Sequence, residues 1–116
     1  MPTPFEQLSG LDKLIHEPAR LAILTALQTV QSADFMFLQR ITGMNKGNLS
    51  IHLSKLEAAG LVEIRKEFVR RKPRTLVLLT SQGKETLDAY WQQLDGLRAA
   101  ARRWNPPEAL PGNSAD

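Results

Sequence analysis

No cysteine occurs among the 116 residues. That excludes a disulfide framework, a thiolate nucleophile and any cysteine-ligated metal site, and it fits a reducing cytoplasm. The two histidines, His16 and His52, fall in different predicted elements. Neither a metal site of three or four ligands nor a serine–histidine–acid set can be assembled around them. His52 reads as a packing or capping residue and His16 receives no role. The glycines are scattered, with no phosphate-cradling loop. No stretch approaches the ~20 apolar residues that span a bilayer. The start, Met1-Pro2-Thr3-Pro4-Phe5-Glu6, lacks the basic and apolar runs of a signal peptide. The expectation is a cytoplasmic protein of bacterial or archaeal type that is not an enzyme, with no catalytic residue, metal, cofactor or membrane partner.

What is present is ordinary in bulk and uneven in placement. The length suits one domain, and 42% hydrophobic with 23% charged residues is typical of a globular chain. The net charge is +3, yet Val62 to Arg74 alone holds six bases and two acids, a net of +4, which leaves −1 for the remainder. A basic patch on a nearly neutral body suits a polyanionic partner; a solvated hairpin tip is the plainer alternative.

The apolar pattern predicts five helices and a hairpin. Phe5, Leu8, Leu11, Leu14 and Ile15 recur at helical spacing, giving a first helix that ends near His16-Glu17, because Pro18 disfavours helical geometry before it. Pro18 opens a second helix with Leu21, Leu24, Leu27 and Val30 inward and Ile23 beside them. Asp34 caps a short third helix with Phe35, Leu38 and Ile41 inward. Gly43 stops it, Met44 plugs the turn and Asn45 caps the next helix, Lys46 to Ala59, whose Leu49, Leu53 and Leu56 share a face. Gly60 ends that helix. The pair forms a helix-turn-helix. The period then becomes two: Val62, Ile64, Lys66 and Phe68 alternate with Glu63, Arg65, Glu67 and Val69, with Phe68 inward, a second strand runs Thr75 to Leu79, and Arg70-Arg71-Lys72-Pro73 forms the tip. Thr80 caps a long last helix.

At about 100° per residue from Leu49, Gly47, Ile51 and Ser54 lie opposite the core face of the Lys46–Ala59 helix, and Asn48, Ser50 and Lys55 flank them. A helix fits the major groove and reads base edges with its outer face. Asn48 suits adenine and Ile51 a thymine methyl, while Gly47 lets backbone amides at Lys46 and its neighbours approach a phosphate. Arg70, Arg71, Lys72 and Arg74 suit phosphates or a minor groove. An exposed face with Ile51 covered by a neighbour is the plainer reading.

In the last helix Leu87, Tyr90, Leu94, Leu97, Ala101 and Trp104 follow heptad spacing, broadened by Trp91. Some twenty residues reach ~30 Å, enough to outrun a small domain, so part of this seam is expected against a second copy of the chain, with Phe5, Leu8 and Leu11 of the N-terminal arm lying across it. Packing on its own domain is the alternative. The expected divisions are an arm (1–16), a DNA-binding unit (17–80), a dimerisation helix (81–104) and a disordered, proline-rich tail (105–116).

The run Lys46-Gly47-Asn48-Leu49-Ser50-Ile51-His52-Leu53-Ser54-Lys55-Leu56-Glu57-Ala58-Ala59-Gly60-Leu61-Val62 resembles the recognition helix and following strand of MarR-like and ArsR-like winged-helix regulators. His16-Glu17-Pro18-Ala19-Arg20-Leu21-Ala22-Ile23-Leu24, the wing Phe68-Val69-Arg70-Arg71-Lys72-Pro73-Arg74-Thr75 and Leu79-Thr80-Ser81-Gln82-Gly83 are similar to a small family of that superfamily. The resemblance covers roughly Leu11 to Leu94. It implies a mainly α fold with a β-hairpin wing, a winged helix-turn-helix. It further implies a homodimer formed by the terminal helices on a two-fold site in double-stranded DNA. The partners expected are duplex DNA, a second copy and a small-molecule effector of unidentified kind. Metal sensing, which many ArsR-like relatives perform through cysteines, does not carry over. Repression is expected, since a bound dimer most simply occludes a promoter. A protein-interaction module and an RNA-binding winged helix are the alternatives.

Overall fold

Every helix in the structure, a computed structural model describing residues 2–107, opens on a side-chain oxygen. Thr3 and Glu6 exchange bonds as a capping box at α1 (Pro4–Ser9). Glu17 accepts from the Arg20 N–H at 2.8 Å to begin α2 (Pro18–Val30). Asp34 accepts from Phe37 at 2.7 Å for α3 (Phe35–Thr42). Asn45 accepts from Asn48 at 2.8 Å for α4 (Lys46–Ala58). Thr80 accepts from Gly83 at 2.9 Å for α5 (Ser81–Arg103). Gly43 ends α3 at φ 72°, the left-handed region that only glycine enters cheaply, and the three residues Gly43-Met44-Asn45 turn the chain into α4.

The five helices and the wing confirm the expected fold class. A three-stranded antiparallel sheet, ordered β1-β3-β2, joins them. It comprises β1 (Ser32–Asp34), β2 (Val62–Val69) and β3 (Lys72–Leu79). The strand β1 was not expected from the sequence: three residues carry no readable period. Its register, Ser32 opposite Leu78 and Asp34 opposite Leu76, ties the start of α3 to the base of the wing.

One core lies under α2, α3, α4 and the sheet base. Ile23, Leu24, Leu27, Leu38, Leu49, Leu56 and Val77 are wholly buried. Two helical faces sit differently from expectation. In α2 the buried face is Ile23, Leu24 and Leu27, while Leu21 is half-buried and Val30 is exposed at the end. In α3 only Leu38 is buried; Ile41 faces solvent and Phe35 is half-buried.

The first helix is shorter than its spacing suggests. It ends at Ser9, and residues 10–17 form an irregular strap. The Asp12 carboxylate accepts from the Leu14 N–H at 2.9 Å, a local turn that competes with helix. Arg20 braces the strap, donating from Nε to the Leu14 carbonyl at 2.6 Å and from Nη2 to Lys13 at 3.1 Å. Leu11 and Ile15 reach the core by this route without helical continuity.

In the hairpin, Phe68 is a correction. Alternation places it on the face of Val62 and Ile64, but Val62 is buried, Ile64 half-buried, and Phe68 is 76% exposed. The body ends before the strand does. The tip is also tighter than a four-residue loop: Val69 pairs with Lys72 and Phe68 with Pro73, so only Arg70 and Arg71 turn. Pro73 is tolerated because β1 reaches β3 only at Leu76–Leu78, which leaves the other edge of β3 open at Pro73.

The last helix, 23 residues and about 34 Å long, changes neighbours along its length. Near its start it packs on α2, where Gln28 Nε2 donates to Asp88 Oδ1 at 2.7 Å. Farther on, α1 runs back along it, and the Phe5 ring meets Trp104 edge-on with centroids 5.2 Å apart. A clasp fixes the start of α5 to the end of α4: Thr80 Oγ1 donates to the Gly60 carbonyl at 2.7 Å and the Thr80 N–H to the Leu61 carbonyl at 3.1 Å. Gly83 lies so close to that same carbonyl that a Cβ would overlap it. Asn105, Pro106 and Pro107 are exposed coil; the rest of the tail expected to be disordered lies outside the described residues.

Candidate nucleic-acid interface

The three leucines that fasten α4 to the core decide what its other side presents. With Leu49, Leu53 and Leu56 buried, Lys46, Gly47, Asn48, Ser50, Ile51, Ser54 and Lys55 are all exposed. Ile51 is 56% exposed, so no neighbour among the described residues covers it. Asn48 and Lys55 flank this face. The backbone N–H of Asn48 is occupied by the Asn45 cap, while its side chain is exposed.

In the wing, Arg70, Arg71, Lys72 and Arg74 are all exposed. Arg70 and Arg71 occupy the left-handed region at φ 53° and 66°. A two-residue turn of this hand favours Asn-Gly, because a side chain costs roughly 1–2 kcal/mol there. The strained turn therefore carries two guanidinium groups to the farthest point of the hairpin. Among the described residues, Arg70, Arg71 and Lys72 form no ion pair, whereas Arg65 is held by Glu63 at 3.0 Å and Arg74 lies 3.8 Å from Asp34. Since Asp34 also caps α3, the Arg74 pair links the outer half of β3 to the start of that helix.

An open groove of about 780 Å³ joins the two parts, with Ser50 and Ser54 of α4 on one wall, Lys66 and Thr75 of the wing on the other, and Gln39 of α3 at the end. Of the expected site residues, Lys46, Ser50, Ser54 and Arg74 border this groove together, beside the carboxylates of Asp34 and Glu57; Gly47, Asn48, Ile51, Lys55, Arg70, Arg71 and Lys72 are exposed outside its lining. The ten residues expected at a chain–chain seam divide: Leu11, Leu87, Tyr90 and Leu97 are buried within the chain, Leu8, Leu94 and Ala101 are half-buried, and Phe5, Trp91 and Trp104 remain exposed.

Sequence reasoning missed the joint behind α4. Arg20 Nη1 donates to His52 Nδ1 at 3.2 Å, and Glu17 lies 3.8 Å from the same nitrogen. Burial pushes the Glu17 pKa up. Hydrogen bonds from the Arg20 and Ala19 N–H groups, with His52 and Arg20 nearby, outweigh it and hold the carboxyl below its ordinary 4.5. His16 Nδ1 meets the Tyr90 hydroxyl at 2.7 Å, tying the strap to α5. Only the pairing of Glu17 with Arg20 three residues on, at a helix start, signals this in the sequence. Among the described residues no cluster of three or more potential metal ligands occurs, and no helix is long and apolar enough to cross a membrane.

Comparison with known proteins places this geometry. A family described as "Winged helix DNA-binding domain" matches residues 19–97. An uncharacterized protein of Methanocaldococcus jannaschii is 30% identical over 78 residues, covering 67% of this chain and 85% of its own. The structure of a transcriptional regulator homologue from Pyrococcus horikoshii is 28% identical with a TM-score of 0.77, covering 84% of this chain and 96% of that one. A MarR-family transcriptional regulator from Silicibacter pomeroyi is 26% identical with a TM-score of 0.56, covering 88% of this chain and 62% of that one.

Proposed function

The chain belongs to the winged helix DNA-binding domain family and is a DNA-binding transcriptional regulator, and from that premise we propose that it acts as a homodimeric repressor on an inverted-repeat site. The observation that supports the reading is a shared groove, bordered by Lys46, Ser50 and Ser54 of α4 and by Lys66 and Arg74 of the wing. In this reading residues 17–80 are the DNA-binding unit. Lys46, Gly47, Asn48, Ser50, Ile51, Ser54 and Lys55 meet the major groove. Arg70, Arg71, Lys72 and Arg74 hold the flanking backbone, giving affinity with strong salt dependence and little sequence information.

Dimerisation is supported by what the single chain leaves exposed. Phe5, Trp91 and Trp104 lie on α1 and α5, outside the core, and large aromatics left in water there are what an interface removes. A two-fold pairing of the arm (1–16) and dimerisation helix (81–104) places two α4 helices on one side, about one helical turn, roughly 34–36 Å, apart. A small-molecule effector would act by changing the angle between that arm and α4.

Selection of bound sequences from random duplex DNA at fixed salt tests the whole reading. The expected product is an inverted repeat, with Asn48→Ala losing about 1–3 kcal/mol of preference at one base of each half-site. Equal loss on selected and random duplexes would remove Asn48 as a reader. The RNA alternative gains one observation, since Phe68 is exposed and aromatics stack on single-stranded bases. A single-stranded RNA that competes as well as duplex DNA would favour it.

A further inference from the structure

Phe68 has no structural duty that its exposure can explain. Among the described residues it is the most exposed large apolar side chain. No aromatic or cationic side chain stacks on it among the described residues. Its partner across the hairpin is Pro73, and directly opposed residues share a face. That face also carries Ile64 and Thr75, which line the groove beside α4. Phe68 therefore emerges on the groove side of the wing, about 13 Å beyond Ile64, where the body has ended. Lys66 precedes it on the same face, and Arg70, Arg71 and Lys72 follow at the tip. An apolar pair ringed by cations is matched to a groove with charged rims and apolar walls. The minor groove of duplex DNA has that character, with phosphates along its rims and sugars and base edges between them. Apolar side chains are known to wedge into that groove where cations hold the backbone.

We propose that Phe68, backed by Pro73, is an apolar contact inserted into the minor groove, while the surrounding cations hold the phosphates. This deepens the duplex-binding reading above and rests on it. The division of labour has a thermodynamic signature. Cations bound to phosphates release counterions, so their loss flattens the dependence of log K on log salt by about 0.9 for each contact. Removing an apolar ring from water releases none, so its contribution is independent of salt.

The test uses the full chain and its selected duplex, with affinity measured by fluorescence anisotropy across a salt series. Phe68→Ala is expected to bind about ten-fold or more weakly with the parent's salt slope, and Phe68→Leu within a few-fold of the parent. Lys72→Ala is expected to flatten the slope. Phe68 is exposed, so these variants should keep the parent's melting temperature, which is checked alongside. Parental affinity in Phe68→Ala overturns the proposal. So does a weakening that comes with a flatter slope, because Phe68 would then merely position the cations. Intact DNA binding with altered sedimentation would instead assign Phe68 to a contact between copies. If the unmodified chain binds no duplex, the regulator reading itself fails, a result distinct from any difference between variants.

Discussion

The two extremities of this protein are built from opposite materials. The wing beyond Ile64 is two strands with no core beneath them, and most of its exposed side chains are cationic. The arm of α1 and α5 is helical, apolar on its inner seam and still shows Phe5, Trp91 and Trp104 to solvent. Between them lies a core that, among the described residues, holds no buried polar or charged residue. The difference teaches what each end suits: charge without a core suits a polyanion, and apolar surface beyond the core suits another protein surface, which in the proposed reading is a second copy. It also predicts that the ends fail differently.

The largest effect is expected at the arm. Trp91→Glu with Leu94→Glu changes one exposed and one half-buried side chain of α5. Sedimentation at micromolar concentration should show a monomer, and affinity for the inverted repeat should fall about a hundred-fold or more as the two-handed grip is lost. A monomeric unmodified protein would erase the contrast at its source. The wing should respond next. Arg70→Ala, Arg71→Ala and Lys72→Ala together are expected to weaken binding to every duplex and to lower the salt slope by up to about 2.7, with sedimentation unchanged.

A sharper comparison lies within the wing. Replacing Arg70-Arg71 by Asn-Gly relieves two left-handed residues, so the melting temperature should rise, by the equivalent of about 1–2 kcal/mol. DNA affinity should fall in the same variant. A loss of stability would mean that the two arginines are not strained at the tip.

The smallest effect concerns the joint between the ends. The depressed Glu17 pKa means its stabilisation is fully present above 4.5 and is lost as pH falls through the lower folded value. Glu17→Gln should be less stable than the parent at pH 7, by about 1 kcal/mol or less, and the two should converge in acid. Thermal melts at pH 7 and pH 3 measure both. A constant gap would show that the carboxylate's charge is irrelevant.

The same contrast explains what the sequence disclosed. The helix-turn-helix was legible because its caps and stop lie beside a strong leucine period: Asp34, Gly43, Asn45 and Gly60 all do what their residue types suggest. The extremities were less legible. Leu11 and Ile15 satisfy helical spacing yet arrive through the strap, because spacing says which residues are buried together and not which backbone carries them there. Alternation puts Phe68 on the face of Val62 and Ile64 but could not reveal that the body ends before reaching it. Arg-Arg is a poor two-residue turn by composition and Pro73 reads as a breaker, so the tip was drawn too wide. Heptad spacing marks the apolar stripe of α5, but only the fold shows that Leu87, Tyr90 and Leu97 are already covered from within.

The clasp at Thr80 and Gly83 gives the molecule a fulcrum. With the first turn of α5 pressed on the Leu61 carbonyl, just past the end of α4, the direction of a beam about 34 Å long is fixed where it leaves the body. A side chain at position 83 would wedge that contact open, and a small tilt at the pivot becomes a displacement of several ångströms at the far end. In the proposed dimer that displacement appears as a change in the distance between the two α4 helices. In that arrangement position 83 would touch no base yet would set the gauge of the site, and a variant there would prefer half-sites at a different separation while reading the same letters in each.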